Sequence, residues 1–238
     1  MRTAYTVFRN LYNVRKMTMK LVLASGSQRR RELLTMCGYD YEIIVSNADE
    51  TIDESDPESF VRALSFRKAK EVFDRLSAAG RRDFAVIGSD TVVAFQKEGG
   101  TKPVIIGKPK DAKDAVRILS MLSGKTHRVF TGVSVIADIP DENATAQCSI
   151  RKKEEIQTEC SITEVTFETL SPDEIADYVN SGDPLDKAGS YGIQGPFGMF
   201  VREIRGNYFT VIGMPIPVLY KMLKKIGILP HGFYERIE

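Results

Sequence analysis

Short apolar runs that end at small polar residues alternate along this chain with polar segments carrying a single apolar stripe. Leu21-Val22-Leu23 has the character of a buried strand, and Leu33, Leu34 and Cys37 then follow at helical spacing. A strand is therefore expected to turn into a helix at Ser25-Gly26-Ser27, with Ser27 as a good N-cap. Residues 41–45 read as a second strand running into a polar acidic loop. Ser55-Asp56-Pro57-Glu58 combines a capping box with a first-turn proline, predicting a helix to about residue 79. Its buried face is expected at Phe60, Leu64, Ala69 or Val72, and Leu76, and Gly80 should end it. Residues 84–95 would form one apolar core strand except at Gly88-Ser89-Asp90, where an interruption is expected.

Further along, residues 96–106 suggest a hairpin or loop returning to Gly107-Lys108-Pro109, and Asp111 caps a helix with Ala115, Ile118, Leu119 and Leu122 facing inward. Residues 127–137 are a clear strand. Residues 138–155 are polar without a period and read as a hairpin insertion, and residues 159–170 supply the strand that pairs with the previous one. A capping box at Ser171–Glu174 opens another helix. Residues 183–198 are too rich in glycine and proline for a regular element and read as a shaped loop. A strand at 199–204, a turn at 207–210 and a helix at 215–226 complete the series. This order describes an α/β protein with a mixed sheet and antiparallel pairs in its middle. No linker splits it, so residues 20–238 are expected to form a single domain, two-lobed if a cleft divides it, behind an N-terminal extension at 1–19.

Composition narrows the class. The chain of 238 residues is 42% hydrophobic and 27% charged, ordinary for a soluble domain, and no apolar run reaches membrane-spanning length. Its net charge of +1 hides an asymmetry. Residues 1–20 hold five basic residues and no acid, so the remainder carries more acids than bases. That balance argues against DNA or RNA, whose backbone needs a broad basic face, and favours a small phosphate-bearing ligand. The basic, weakly amphipathic start also has the look of a transit peptide, but it is poor in serine, so a cytoplasmic protein is the leading expectation and organelle targeting the minority one. Three cysteines without C-x-x-C spacing suggest neither disulfides nor zinc. Two histidines leave little material for a triad, and His127 reads as structural.

Candidate chemistry starts at the strand-to-helix corner. Arg29, Arg30 and Arg31 stand where helices favour acids, opposing the helix dipole unless an anion binds there. Asp90 is a carboxylate in an apolar strand, tolerable only when paired, hydrogen-bonded or metal-bound. The loop with Asp49, Glu50, Asp53, Glu54 and Asp56 could present carboxylates to a hard cation beside a phosphate. Lys108 is fixed between Gly107 and Pro109.

Four signals then stand in one order: S-x-S-x-R-R at Ser25–Arg30, G-S-D-T-V-V at Gly88–Val93, G-K-P at Gly107–Pro109 and K-A-G-S-Y-G-I-Q-G at Lys187–Gly195. Together they resemble the Maf family of nucleoside triphosphate pyrophosphatases over residues 20 to about 228. The resemblance implies an elongated mixed sheet flanked by helices around a central cleft, shared in outline with inosine triphosphatases. It also implies cleavage of a nucleoside triphosphate to the monophosphate and pyrophosphate, with Mg²⁺ or Mn²⁺ as cofactor. By motif position, Ser25, Ser27, Arg29, Arg30 and Lys108 would bind the triphosphate and Lys68 would join them. Glu50 and Asp90 would serve the cation and the attacking water. Gln194 would mark the branch acting on dTTP and UTP. The resemblance leaves room for a homodimer, and two alternatives stay open: a 7-methyl-GTP/CTP-type activity, or a nucleotide-binding regulator without turnover.

Overall fold

The computed structural model describes residues 19–96, 99–100, 102–139 and 153–231. The N-terminal extension through residue 18 and most of the predicted insertion lie outside them. Seven strands form one mixed sheet: β1 (Lys20–Leu23), β2 (Tyr41–Ile43), β3 (Phe84–Phe95), β4 (Val104–Ile106), β5 (Thr126–Ile139), β6 (Lys153–Phe167) and β7 (Val201–Arg205). The order across the sheet is β2-β1-β3-β5-β6-β7, with β4 also paired to β3. β1 runs parallel to β2 and β3, and every other pair is antiparallel. The helices are α1 (Gln28–Met36), α2 (Pro57–Ala78), α3 (Ala112–Leu122), α4 (Pro172–Asn180), α5 (Tyr208–Ile212) and α6 (Ile216–Lys225). None of the described helices is long and apolar enough to cross a membrane.

The strand β3 decides where a cleft can open. One edge pairs with β5 from Ala85 to Ala94. The other pairs with β1 only through Ile87 and with β4 only from Val93, so among the described residues Gly88–Val92 have no ladder partner on that side. Successive side chains of a strand point to opposite faces, which sends Asp90 toward α2 and Thr91 the other way. A gap at this edge therefore gives access to both.

Three predictions change here. β3 is not interrupted, because Ser89 satisfies its hydroxyl on the carbonyls of Gly132 (2.9 Å) and Gly213 (3.0 Å). Gly88 and Gly132 are glycines for another reason: α2 lies so close that an added Cβ would fall 2.1 Å from the Ser65 carbonyl and 2.2 Å from that of Val61. The expected box at Ser55 is a single cap by Asp56, whose carboxylate accepts from Ser59 N–H, since Pro57 already takes the first helical position. The predicted turn at 207–210 is the start of α5, capped by Asn207. The Ser171–Glu174 capping box forms as expected. β5 and β6 run on into the edges of the predicted insertion.

Apolar clusters lie on both faces. Residues of β1, α1 and α6 pack one end of a face and residues of α3, α4 and β6 the other, while α2 covers the opposite face. The cleft lies between.

Candidate active site

A cavity of ≈ 790 Å³ lies over the bare edge of β3, and it is lined by all nine residues singled out from the sequence: Ser25, Ser27, Arg29, Arg30, Glu50, Lys68, Asp90, Lys108 and Gln194. They come from distant parts of the chain, which is why spacing alone could not bring them together.

The arginine corner is built as a fixed fork. Arg30 Nε donates to the Gly213 carbonyl at 2.9 Å, Nη1 to Ser25 Oγ at 3.0 Å and Nη2 to Thr91 Oγ1 at 3.4 Å. Three elements thus orient one guanidinium, a task lysine's single ammonium cannot perform. Burial lowers the Arg30 pKa and Arg29 adds to it, while Asp90 and Glu50 oppose the shift. Ser27 occupies the N-cap position but makes no side-chain cap; instead Ser25 Oγ accepts its N–H at 3.3 Å. No acid stands in the first turn of α1 to offset the positive end of its dipole, and Ser27, Gln28, Arg29 and Arg30 of that turn line the cavity.

Across the gap, Lys68 on α2 places its ammonium between two carboxylates, 2.8 Å from Asp90 Oδ1 and 3.1 Å from Glu50 Oε1. The Asp90 and Lys68 side chains are only 12% and 13% exposed, against 64% for Glu50, so the first pair is the desolvated one. Of the five acids in the loop, Glu50 alone lines the cavity. Asp49 accepts from Thr51 N–H, Glu54 from Asp56 N–H, and Asp56 caps α2. Arg67, which sequence reasoning passed over, holds the loop on either side of Glu50 through the carbonyls of Asp49 and Thr51, both at 2.8 Å.

Three 3₁₀ turns, Asp183–Asp186, Ala188–Ser190 and Pro196–Phe200, shape the loop that carries Gln194. The loop docks on the Gly107-Lys108-Pro109 turn through Gly189 N–H and the Gly107 carbonyl, 3.0 Å apart. Gly189 has φ 72°, and a Cβ there would strike Val93 Cγ2 at 2.5 Å. Lys187 and Asp186 also line the cavity. Burial alone would raise Asp186, but the hydrogen bond from Lys187 and the charges of Arg29 and Lys187 hold it below the usual carboxylate range. Its two oxygens reach Arg29 at 3.3 Å and Lys187 at 2.7 Å, joining the loop to the arginine corner. The motif K-A-G-S-Y-G-I-Q-G carried the signal for this wall, but not for the charge pairing within it.

The two carboxylates can be tested against a divalent cation. No group of three His, Cys, Asp or Glu side chains converges among the described residues. Asp90 and Glu50 are held 2.8 and 3.1 Å from one shared ammonium, so they already face a common positive charge. A magnesium-type ion takes one or two carboxylates and completes its shell with phosphate oxygens and water, and two carboxylates beside an anion corner fit that demand.

Fold and cleft define an α/β protein in which an arginine corner shares one cavity with a carboxylate–lysine pair. The chain belongs to the Maf family, whose model, described as "Maf-like protein", matches residues 20–226. It is 43% identical over 210 residues to a dTTP/UTP pyrophosphatase of Bacillus thuringiensis subsp. konkukian (strain 97-27), covering 88% of this chain and 96% of that protein. A dTTP/UTP pyrophosphatase of Agathobacter rectalis is 40% identical over 217 residues, with 88% and 98% covered. The solved structure of the Staphylococcus aureus Ham1 protein covers 87% of this chain and 98% of its own at 13% identity, with a TM-score of 0.41.

Proposed function

We propose that this protein hydrolyses dTTP and UTP to the monophosphate and pyrophosphate, with the triphosphate in the cleft over β3. The observation that carries this reading is the opposition of a fixed arginine fork to the Lys68–Asp90 pair across one cavity. Membership of a family whose relatives bear that activity in their names supports it.

Hydrolysis of a phosphoanhydride is largely a matter of positioning and charge. Arg29, Arg30, Lys108 and the amide donors at the start of α1, with Ser25 and Ser27 beside them, bind the phosphates. Lys68 orients the Asp90 carboxylate through Oδ1, and Oδ2 is left to hold the water and accept its proton. Gln194, on a loop thin enough to let the main chain approach, reads the pyrimidine edge. Glu50 and Asp90 would hold Mg²⁺ or Mn²⁺ together with the phosphates, and such an ion would neutralise developing charge and acidify bound water.

The test is a panel of nucleoside triphosphates assayed for pyrophosphate with Mg²⁺, with Mn²⁺ and with excess chelator. The reading predicts pyrophosphate from dTTP and UTP ahead of CTP, and loss of turnover in chelator. Binding without turnover would support the regulator instead, and a preference for CTP or 7-methyl-GTP the sister activity.

A further inference from the structure

Behind the loop that carries Gln194 lies a buried hydroxyl, and we propose that Tyr178, acting with Asp183, is a positioning residue for base selection. The inference rests on the pyrophosphatase reading above. Tyr178 projects from α4, and its oxygen accepts from Gly192 N–H at 3.1 Å and donates to Asp183 Oδ2 at 2.5 Å. Asp183 in turn holds Lys187, whose ammonium lies 3.0 Å from Oδ1 and 2.6 Å from the Asp183 carbonyl. Gly192 opens a turn that Gly195 closes, N–H to carbonyl at 3.2 Å, and Gln194 is carried within it. The turn is seated tightly, since a Cβ on Gly192 would meet Lys187 Cε at 2.6 Å.

The hydroxyl is not needed to fill space. The Tyr178 ring is 6% exposed and packs on Phe197 with centroids 4.8 Å apart, contacts a phenylalanine would keep. What the oxygen adds is a fixed acceptor for a buried amide and a donor to a carboxylate, and buried polar groups hold position when all their partners are present. Burial and Asp183 both raise the phenol pKa, so it stays a protonated donor. The bond from Gly192 N–H ties Tyr178 to the Gln194 loop, whereas Asp183 also leads to the phosphate wall through Lys187, Asp186 and Arg29. Removing the Tyr178 hydroxyl therefore changes which base is accepted before it changes how phosphate is held.

The experiment measures kcat/KM for dTTP, UTP and CTP, inhibition by pyrophosphate and thermal unfolding in the wild type, Tyr178→Phe and Asp183→Asn. One hydrogen bond's worth of placement predicts that the dTTP:CTP and UTP:CTP ratios fall by about 2- to 10-fold in both variants. In Tyr178→Phe the pyrophosphate inhibition constant should stay at its wild-type value, because that product touches only the phosphate wall. A purely structural role would lower the melting temperature while leaving the ratios intact, and that overturns the inference. So does a parallel loss of pyrophosphate binding in Tyr178→Phe. A wild type that turns over no triphosphate defeats the pyrophosphatase reading and this inference with it, whereas a selective wild type with unchanged ratios in both variants defeats the inference alone.

Discussion

His127 lies under the Gln194 loop, its Nε2 3.0 Å from the Tyr191 hydroxyl and its ring edge-on to Phe167 and Tyr191. Burial pushes its pKa from 6.5 down to about 3. Between those values the unfolded chain takes up a proton that the folded chain refuses, so this residue makes folding less favourable as pH falls below about 6.5. The loss approaches about 1.4 kcal/mol per pH unit. In urea titrations from pH 7 to pH 4, the stability advantage of wild type over His127→Gln should shrink as pH falls; a constant gap would mean the imidazole is not held neutral. At this scale much was legible. A lone histidine at a strand start signalled a structural role, and an aspartate in an apolar strand signalled a partner. The partner itself was not, because Lys68 lies 22 residues away on a helix full of other charges, and only the crossing of α2 over β3 selects it.

That crossing is the element on which the site depends. Gly88 on β3 and Gly132 on β5 let α2 lie almost against the sheet backbone, and α2 brings Lys68 to Asp90 and Arg67 to the acidic loop. In Gly132→Ala the new Cβ would stand 2.2 Å from the Val61 carbonyl, so the helix must move. Overpacking of this kind costs about 1–3 kcal/mol. The variant should melt several degrees lower and, even well below its melting temperature, turn over more slowly because Lys68 has shifted. Unfolding curves and kcat on the same preparation check this, and full activity in the folded variant would separate the crossing from catalysis. Helix and strand periods were readable along the chain, including the Ser171 capping box and the inward face of α3. The glycines in β3 looked like a break because a close helix approach leaves the same mark as an interruption. α5 escaped because five residues with Tyr208, Phe209, Val211 and Ile212 show no helical stripe.

The whole molecule is a sheet whose central strand is paired along one edge and left open in the middle of the other. Into that opening the chain brings cations from the β1–α1 corner, a carboxylate–lysine pair from β3 and α2, and a glycine-rich loop from beyond α4. Sequence motifs foretold that these belong together through their family resemblance; the gap between β1 and β4 supplies the physical reason. Asp90 stands at its centre, where in the proposed reaction its carboxylate serves the attacking water. Asp90→Asn keeps an acceptor for Lys68, and Glu50 keeps that ammonium a charged neighbour, so the fold should lose less than about 1 kcal/mol, roughly 2–4 °C in melting temperature. General-base help is worth about 10²- to 10⁴-fold. The deciding measurement is the rate at which wild type and Asp90→Asn release uridine monophosphate and pyrophosphate from UTP. Equal amounts of both products are expected from the wild type and a kcat at least about 100-fold lower from the folded variant; a folded variant that turns over near the wild-type rate would remove Asp90 from the chemistry.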